Sequence, residues 1–140
     1  MNKLCIFCRI ACGEIPCMLI DESEHLLAFL DVNPAFSGHT LIIPRQHWEN
    51  IFQVNDVVGG ELVAMMRRLG TAVMEAAGAD GLNIIQNNGR SAWQSVNHVH
   101  WHLIPRKEGD GFEPWKQGIY DSHAQMKAMA EAIRMAMSRH

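Results

Sequence analysis

The sequence of 140 residues contains 48% hydrophobic and 19% charged residues and has a formal net charge of −3. A chain of this length can bury a core in a single domain, and its composition is that of a globular protein rather than a disordered one. The basic residues are scattered, so the pattern predicts no stripe that binds a nucleic-acid polymer. A small phosphorylated ligand needs only a local polar pocket and stays compatible with this charge.

Membrane and secreted classes also fit poorly. No stretch approaches the roughly 20 apolar residues that span a bilayer. Arg9 and Glu14 interrupt the first apolar run before it reaches the length of a secretory signal. We therefore expect a cytoplasmic protein without a membrane partner. In that reducing compartment the four cysteines, all within the first 17 residues, favour metal binding or core packing over disulfides.

Short apolar runs predict three strands in the first third of the chain. In the runs at 18–23 and 24–31, acidic residues follow the apolar ones. A segment rich in Pro, Ser and Gly at 33–38 predicts a turn. The next run, 39–44, reads as a strand that stops at Pro44.

In the second half of the chain the spacing of the apolar residues changes. Apolar residues recur at helical spacing over 56–78, where Asn55 or Asp56 can cap the start and Gly78 can end the helix. Strands are predicted again at 82–87 and, with strict alternation, at 97–105. A last helix is predicted over 122–137, with Ser122 and Gln125 in the spacing of a capping box.

In this order strands and helices do not alternate regularly, which disfavours a doubly wound parallel sheet. We predict an α+β fold with an antiparallel sheet of about five strands. One helix lies between strands three and four, and another lies at the C-terminus. The prediction is one domain over 1–140, in which 107–140 is a C-terminal tail and helix.

Three histidines share one face of the last predicted strand. His98, His100 and His102 alternate with apolar residues, and alternate side chains of a strand point the same way. Imidazole can be a metal ligand, a general acid or base, or a nucleophile. The pattern alone therefore leaves three interpretations open, which are catalysis, metal binding only, and buried histidines with satisfied hydrogen bonds.

The stretch HVHWHLIP at 98–105 resembles the signature of the histidine-triad (HIT) family, in which three histidines alternate with apolar residues. The opening CIFCRIACGEIP, the stretch AFLDVNPAFSGHTLIIPRQH and the stretch NIIQNNGRSAWQSVNHVHWHLIPR resemble the branch of nucleoside phosphoramidate hydrolases and their bacterial relatives. The resemblance implies a HIT-like fold. It also implies a hydrolase that attacks the α-phosphate of purine nucleoside phosphoramidates or adenylyl conjugates through a covalent nucleotidyl-histidine intermediate.

Residue roles follow from the same resemblance. His100 matches the nucleophile, His102 matches a histidine that contacts phosphate, and His39 matches a histidine behind the triad. Ser95 matches a hydroxyl at the phosphate or leaving group, and Asp31 matches a carboxylate that accepts from the ribose hydroxyls. The remaining substrate-binding candidates are polar residues near the phosphate, Asn87 and Gln94, and an apolar base pocket of Ile6, Phe7, Ile10, Phe29, Val32 and Leu41. The resemblance also implies a homodimer.

A structural zinc site is a further expectation. Cys5 and Cys8 have the spacing of half a zinc site, although small buried cysteines can have the same pattern. The resemblance to bacterial members implies that His47 and His98 complete a closed four-ligand set. Cys12 and Cys17 have no matching role, and we interpret them as packing residues.

One position departs from the family pattern. Trp93 stands where the family usually has a glycine, just before Gln94. Glycine permits positive φ and a close approach of the backbone to phosphate. Trp93 is therefore expected to alter this loop and to place an aromatic wall beside the leaving group.

Two alternative functions remain at this point. The segment HLIPRKEGDGF resembles the dinucleoside polyphosphate hydrolases of the same family. Trp93 favours a second alternative, a nucleotide- or zinc-binding regulatory module with little turnover.

Overall fold

The computed structural model describes residues 2–140. Its α-helices are α1 (Ile6–Ala11), α2 (Asp56–Ala77) and α3 (His123–Met137), and short 3₁₀ helices lie at Ile51–Gln53 and Arg90–Ala92. The strands are β1 (Leu19–Glu22), β2 (Leu26–Leu30), β3 (Thr40–Pro44), β4 (Gly81–Gln86) and β5 (Trp101–Arg106). No helix in the described residues combines the length and apolar character needed to cross a membrane.

The five strands form one antiparallel sheet in the order β1-β2-β3-β5-β4. The predicted α+β fold, with its helix between strands three and four and its C-terminal helix, is confirmed. β3 and β5 pair with Leu41 opposite His102. Because the two strands are antiparallel, the loop before β3 lies beside the middle of β5, which places His39 next to His102.

Both faces of the central strands are buried. Leu26, Ala28 and Ile42 pack with α2 on one face, while Leu27, Phe29, Leu41 and Ile43 pack with α1 on the other. Burial on both faces explains why these strands are continuous apolar runs in the sequence rather than alternating ones. The histidines of the triad lie on the α1 side, since Val99, Trp101 and Leu103 belong to the cluster with α2.

Helix α2 begins and ends where the sequence predicts. The side chain of Asn55 accepts a hydrogen bond from the Val58 amide at 3.0 Å, and Gly78 ends the helix with φ of 61°. Within the helix, a Cβ at Gly70 would lie 2.8 Å from Leu82 Cδ2. A glycine at this position lets α2 approach β4 closely.

The structure differs from the sequence analysis in two details. Helix α1 was not predicted, because it has only six residues and its cap is the Cys5 sulfur, which accepts from the Cys8 amide at 3.4 Å. The last strand begins at Trp101 rather than at 97. Residues 98–100 lie beyond the pairing range of β3 and β4, and Val99 N bonds instead to Trp48 O at 2.7 Å.

The chain divides into two compact units, one up to Asp110 and the other Gly111–His140. In the second unit, Ser122 caps α3 by accepting from Gln125 N at 3.1 Å. The Gln125 side chain accepts from Asp121 N at 2.9 Å, one residue earlier than a standard capping box. The prediction of a single domain over 1–140 stays a prediction.

Candidate active site and metal centre

A cavity of about 310 Å³ lies between α1, the end of β2 and residues 98–102, which carry the three histidines and are called the histidine segment below. Phe7 forms one wall, and its ring packs edge-on against Phe29 at 5.9 Å and against His100 at 5.1 Å between centroids. Ten of the predicted site residues line this cavity: Ile6, Phe7, Ile10, Phe29, Asp31, Val32, Leu41, Ser95, His100 and His102. The arrangement offers an apolar compartment with a carboxylate and two imidazoles at its polar end.

Three predicted residues lie outside the lining. His39 is buried behind His102. The Gln94 side chain is used in the loop, where it accepts from Gly89 N at 2.8 Å and donates to the carbonyls of Glu49 and Val96. Asn87 follows β4 and is half-buried. The structure therefore supports Gln94 as a residue that positions the loop rather than as a lining residue.

The sequence analysis missed several residues that line the cavity. Ile15, Pro16 and Cys17, from the segment after α1, join the wall together with Leu30, Asn33 and Val96. Cys17, interpreted from sequence as a packing residue, thus faces the cavity. Cys12 is exposed, and its thiol donates to Arg9 O at 3.4 Å, so the interpretation of Cys12 as a packing residue is wrong.

A chain of hydrogen bonds fixes the proton positions on His39 and His102. The Ala35 amide, which can only donate, lies 3.0 Å from His39 Nδ1. A neutral His39 therefore carries its proton on Nε2 and donates it to His102 Nδ1 at 2.9 Å. His102 in turn carries its proton on Nε2, which makes that nitrogen a donor on the cavity side.

The imidazole of His100 has the opposite arrangement. Its Nδ1 donates to the carbonyl of His98 at 2.7 Å, so a neutral ring leaves Nε2 without a proton. Among the described residues none forms a hydrogen bond with that Nε2. Its ring lies 5.0 Å from that of His102. An unprotonated, unengaged ring nitrogen at a cavity wall has the form that a nucleophile requires.

Burial keeps these imidazoles neutral. Desolvation lowers the pKa of His100, partly offset by its hydrogen bond to the His98 carbonyl and by Asp31. Desolvation, together with the neighbouring His100 and His39, lowers the pKa of His102 to about 4. Desolvation also lowers the pKa of His39. The carboxylate of Asp31, whose Oδ2 lies 3.6 Å from His39 Nε2, raises this pKa and so opposes part of the effect.

Four metal-ligating side chains meet beside α1. The sulfurs of Cys5 and Cys8 and one nitrogen each of His47 and His98 all lie within 4.8 Å of one another. His98 Nδ1 is 3.5 Å from Cys5 Sγ and 3.6 Å from Cys8 Sγ, and His47 Nδ1 is 3.2 Å from Cys8 Sγ. Zinc bonds of about 2.3 Å to sulfur and 2.0–2.1 Å to nitrogen, at tetrahedral angles, separate such atoms by about 3.5 Å.

The orientation of His98 also fits a metal. Its Nε2 donates to the Pro44 carbonyl at 2.8 Å, which leaves the unprotonated Nδ1 directed at the two sulfurs. A histidine ligand commonly donates its other ring nitrogen to a carbonyl in this way. The donor set and its geometry therefore fit a closed site of two sulfurs and two nitrogens.

The loop before the histidine segment contains a strained residue. Trp93 has φ of 67° and ψ of 29°, and within the described residues it is the only non-glycine with positive φ. Its indole is 86% exposed and does not line the cavity. The expected aromatic wall is therefore absent from this cavity, although the left-handed backbone that the family glycine permits is retained.

Comparison with known proteins identifies the family of the chain. The sequence model of the HIT domain matches residues 12–109. An uncharacterised HIT-like protein of Methanocaldococcus jannaschii is 48% identical over 108 residues, which cover 77% of this chain and 83% of the relative. The adenosine 5′-monophosphoramidase of Schizosaccharomyces pombe is 40% identical over 130 residues, 92% of this chain and 95% of the relative.

Solved structures show the same fold. A crystal structure from Streptococcus mutans has a TM-score of 0.90 at 38% identity and covers 98% of this chain and 87% of its own. A zinc-bound histidine-triad protein of Mycobacterium smegmatis has a TM-score of 0.73 at 32% identity, with 97% of each chain covered. By its sequence match, its relatives and its fold, the chain belongs to the HIT domain family.

Proposed function

We propose that this chain is a nucleotide hydrolase that acts on the α-phosphate of purine nucleoside phosphoramidates or adenylyl conjugates. The observation that carries the proposal is the state of His100, whose Nδ1 donates to a carbonyl while its Nε2 is unengaged at the wall of the cavity. The name of the S. pombe relative, an adenosine 5′-monophosphoramidase, supports the same substrate class.

Binding follows from the lining of the cavity. The purine base occupies the apolar compartment formed by Ile6, Phe7, Phe29 and neighbouring residues, since aromatic and aliphatic walls accept a flat ring. The ribose hydroxyls donate to Asp31 at the polar end. The α-phosphate then lies by His100, with His102 Nε2–H as a donor to one of its oxygens.

The reaction proceeds in two steps. His100 Nε2 attacks phosphorus, the bond from phosphorus to the leaving nitrogen breaks, and that nitrogen takes one proton delivered from solvent through the hydroxyl of Ser95. Water then attacks the nucleotidyl-histidine, His100 leaves through Nε2, and one proton returns to solvent. The sum consumes one water and releases the amine and the nucleoside monophosphate. His102 donates to the phosphoryl oxygen in both steps, and His39 holds the required tautomer.

We further propose that Cys5, Cys8, His47 and His98 hold one structural zinc ion. The donor set and its separations support this assignment, as does the zinc-bound M. smegmatis structure. Zinc with four protein ligands supplies cross-linking rather than catalysis, because no position stays open for water. The site would tie α1, which forms one wall of the cavity, to the segment that carries His100.

Hydrolysis of adenosine 5′-phosphoramidate tests the proposal. The purified protein is expected to release AMP and ammonia in a steady-state assay, and His100→Asn is expected to lose several orders of magnitude in kcat. Circular dichroism and the zinc content of the variant serve as controls for its fold. No release of AMP by the wild type, or full activity in folded His100→Asn, overturns the proposal.

A further inference from the structure

A groove adjoins the cavity of about 310 Å³ in which the nucleotide is proposed to bind, which we call the nucleotide cavity. It has a volume of about 400 Å³ and shares Ile6, Ser95 and Val96 with the lining of that cavity. Its other walls are mostly polar residues, together with Leu4, from the N-terminal segment and the loops around the candidate metal site: Asn2, Cys5, His47, Glu49 and Asn97. The groove and the cavity therefore meet at Ser95. In the proposed reaction the hydroxyl of Ser95 lies next to the leaving group.

The lining of the groove carries a negative charge. Glu49 supplies a carboxylate, and among residues 2–140 no lysine or arginine lines either the groove or the nucleotide cavity. Within the described part of the chain no ion pair engages Glu49, whose side chain is exposed. A group that enters the groove therefore meets a carboxylate that no described side chain neutralises.

The backbone of Glu49 is held in place. Its amide donates to the Gln53 side chain at 2.6 Å, and its carbonyl accepts from Gln94 Nε2 at 2.5 Å. The same Gln94 nitrogen donates to the Val96 carbonyl at 3.0 Å. Gln94 thus connects the loop that carries Glu49 with the loop that carries Ser95, and fixes the carboxylate's attachment point along the groove.

We propose that this groove is the leaving-group subsite and that Glu49 selects leaving amines that carry a positive charge. The inference rests on the proposed function, since a leaving group exists only if the α-phosphate is attacked. The carboxylate of Glu49 attracts an ammonium group in the leaving amine, because their charges are opposite. The same carboxylate repels a phosphate or a carboxylate in the leaving group. The polyphosphate leaving group of a dinucleoside polyphosphate is accordingly disfavoured.

Three adenosine 5′-phosphoramidates of similar length test the inference. Their leaving amines are propylamine, which is neutral beyond the reacting nitrogen, 1,3-diaminopropane, which adds an ammonium, and β-alanine, which adds a carboxylate. The readout is kcat/KM for each charged substrate divided by that for the propylamine substrate. Each ratio is compared between wild type and variant, so that differences in intrinsic reactivity cancel.

Glu49→Gln is expected to lower the diaminopropane ratio by about twofold to fivefold, which is the range of one solvent-exposed ion pair, and to raise the β-alanine ratio similarly. Glu49→Lys reverses the order of the two charged substrates. The effect shrinks between about 50 mM and about 500 mM salt because ions screen exposed charges. Glu75→Gln, the same charge change at an exposed position on α2, leaves both ratios unchanged.

The outcomes separate the two proposals. Turnover of all three substrates with ratios that Glu49→Gln does not change, or that Glu75→Gln changes equally, overturns the assignment of Glu49. Absence of turnover with every substrate, including the propylamine one, overturns the proposed function and the inference with it.

Discussion

His39 Nε2 lies 2.9 Å from His102 Nδ1, and this one hydrogen bond sets which nitrogen of His102 carries a proton. The direction of the bond follows from the Ala35 amide, which occupies the other nitrogen of His39 as a donor. The loop before β3 thereby controls a side chain on β5. His39 touches no part of the cavity itself, so we assign it a positioning role.

The pH dependence of His102 follows from its burial. Its pKa of about 4 means that the ring stays neutral at pH 7 and becomes protonated only in acid. In the unfolded chain the same group titrates near the ordinary histidine value of about 6.5. As pH falls from 6.5 towards 4, the unfolded state binds more protons, and the free energy of unfolding decreases.

Denaturant unfolding at pH 7 and pH 5 checks this sign. The wild type is expected to lose more stability between these pH values than His102→Gln does. Ring chemical shifts of His102 measured by NMR should show no titration near pH 6.5. A midpoint near 6.5 would contradict the account of a desolvated, neutral ring.

Metal removal gives a separate prediction. The purified protein should contain one zinc per chain, and Cys8→Ser should lose it. Because metal binding contributes folding free energy, Tm should fall by roughly 3 °C for each 1 kcal/mol lost in a chain of this size. Cys12→Ser is the matched control, since Cys12 is exposed and bonds only to the Arg9 carbonyl. Wild-type protein without zinc, or zinc retained at full stoichiometry in Cys8→Ser, would disprove the metal assignment.

Asp31 has two candidate roles that mutation can separate. Its Oδ1 accepts from the Asn33 amide at 2.8 Å, and its Oδ2 lies 3.6 Å from His39 Nε2 at the polar end of the cavity. If the carboxylate also binds the ribose, Asp31→Ala should reduce the preference for a nucleotide over its 2′,3′-dideoxy analogue. Hydrogen bonds to a charged group are worth about 1.5–3 kcal/mol, so a loss of at least tenfold is expected.

The comparison of kcat/KM for the two sugars measures that preference. Asp31→Asn serves as the control for local structure, because its amide oxygen can still accept from Asn33 N. An unchanged sugar preference in Asp31→Ala would show that Asp31 is only a residue at the end of a strand.

The sequence predicted the elements whose signals are local. α2 has a capping asparagine, a clear helical period and a terminal glycine, and all three function as expected. α1 lacks such signals because six residues capped by a cysteine depend on packing against Phe29 and His100. The short pairing of β5 depends on where its neighbours end, which no pattern within 97–105 encodes.

The residues of the site also fall into two groups, those that a sequence motif predicts and those that only the fold brings together. Residues in the quoted motifs could be placed in one cavity by resemblance, and the structure brings ten of them together. The wall formed by Ile15, Pro16 and Cys17 was missed because it depends on the turn after α1. The role of Gln94 in joining two loops depends on contacts distant in sequence. The predicted homodimer and cytoplasmic location stay predictions.

Trp93 allows a stability test of backbone strain. A non-glycine residue in the left-handed region costs about 1–2 kcal/mol, and Trp93 has φ of 67° there. Trp93→Gly should therefore raise the free energy of unfolding by about 1 kcal/mol. Trp93→Ala keeps the strained backbone while removing the indole and should leave stability nearly unchanged, since the indole is 86% exposed. Urea unfolding of the two variants decides the question, and equal stabilities would show that strain at this position is negligible.

The covalent role of His100 is the central claim, and mass spectrometry of quenched reactions tests it most directly. The protein is mixed with adenosine 5′-phosphoramidate, quenched during turnover, digested and analysed for peptides that carry a nucleotidyl group. The account predicts adenylyl modification on His100, absent from His100→Asn, because its Nε2 is unprotonated and unengaged while its Nδ1 is bonded to the His98 carbonyl. Turnover with no adduct on any peptide, or with the adduct on another residue, would contradict it.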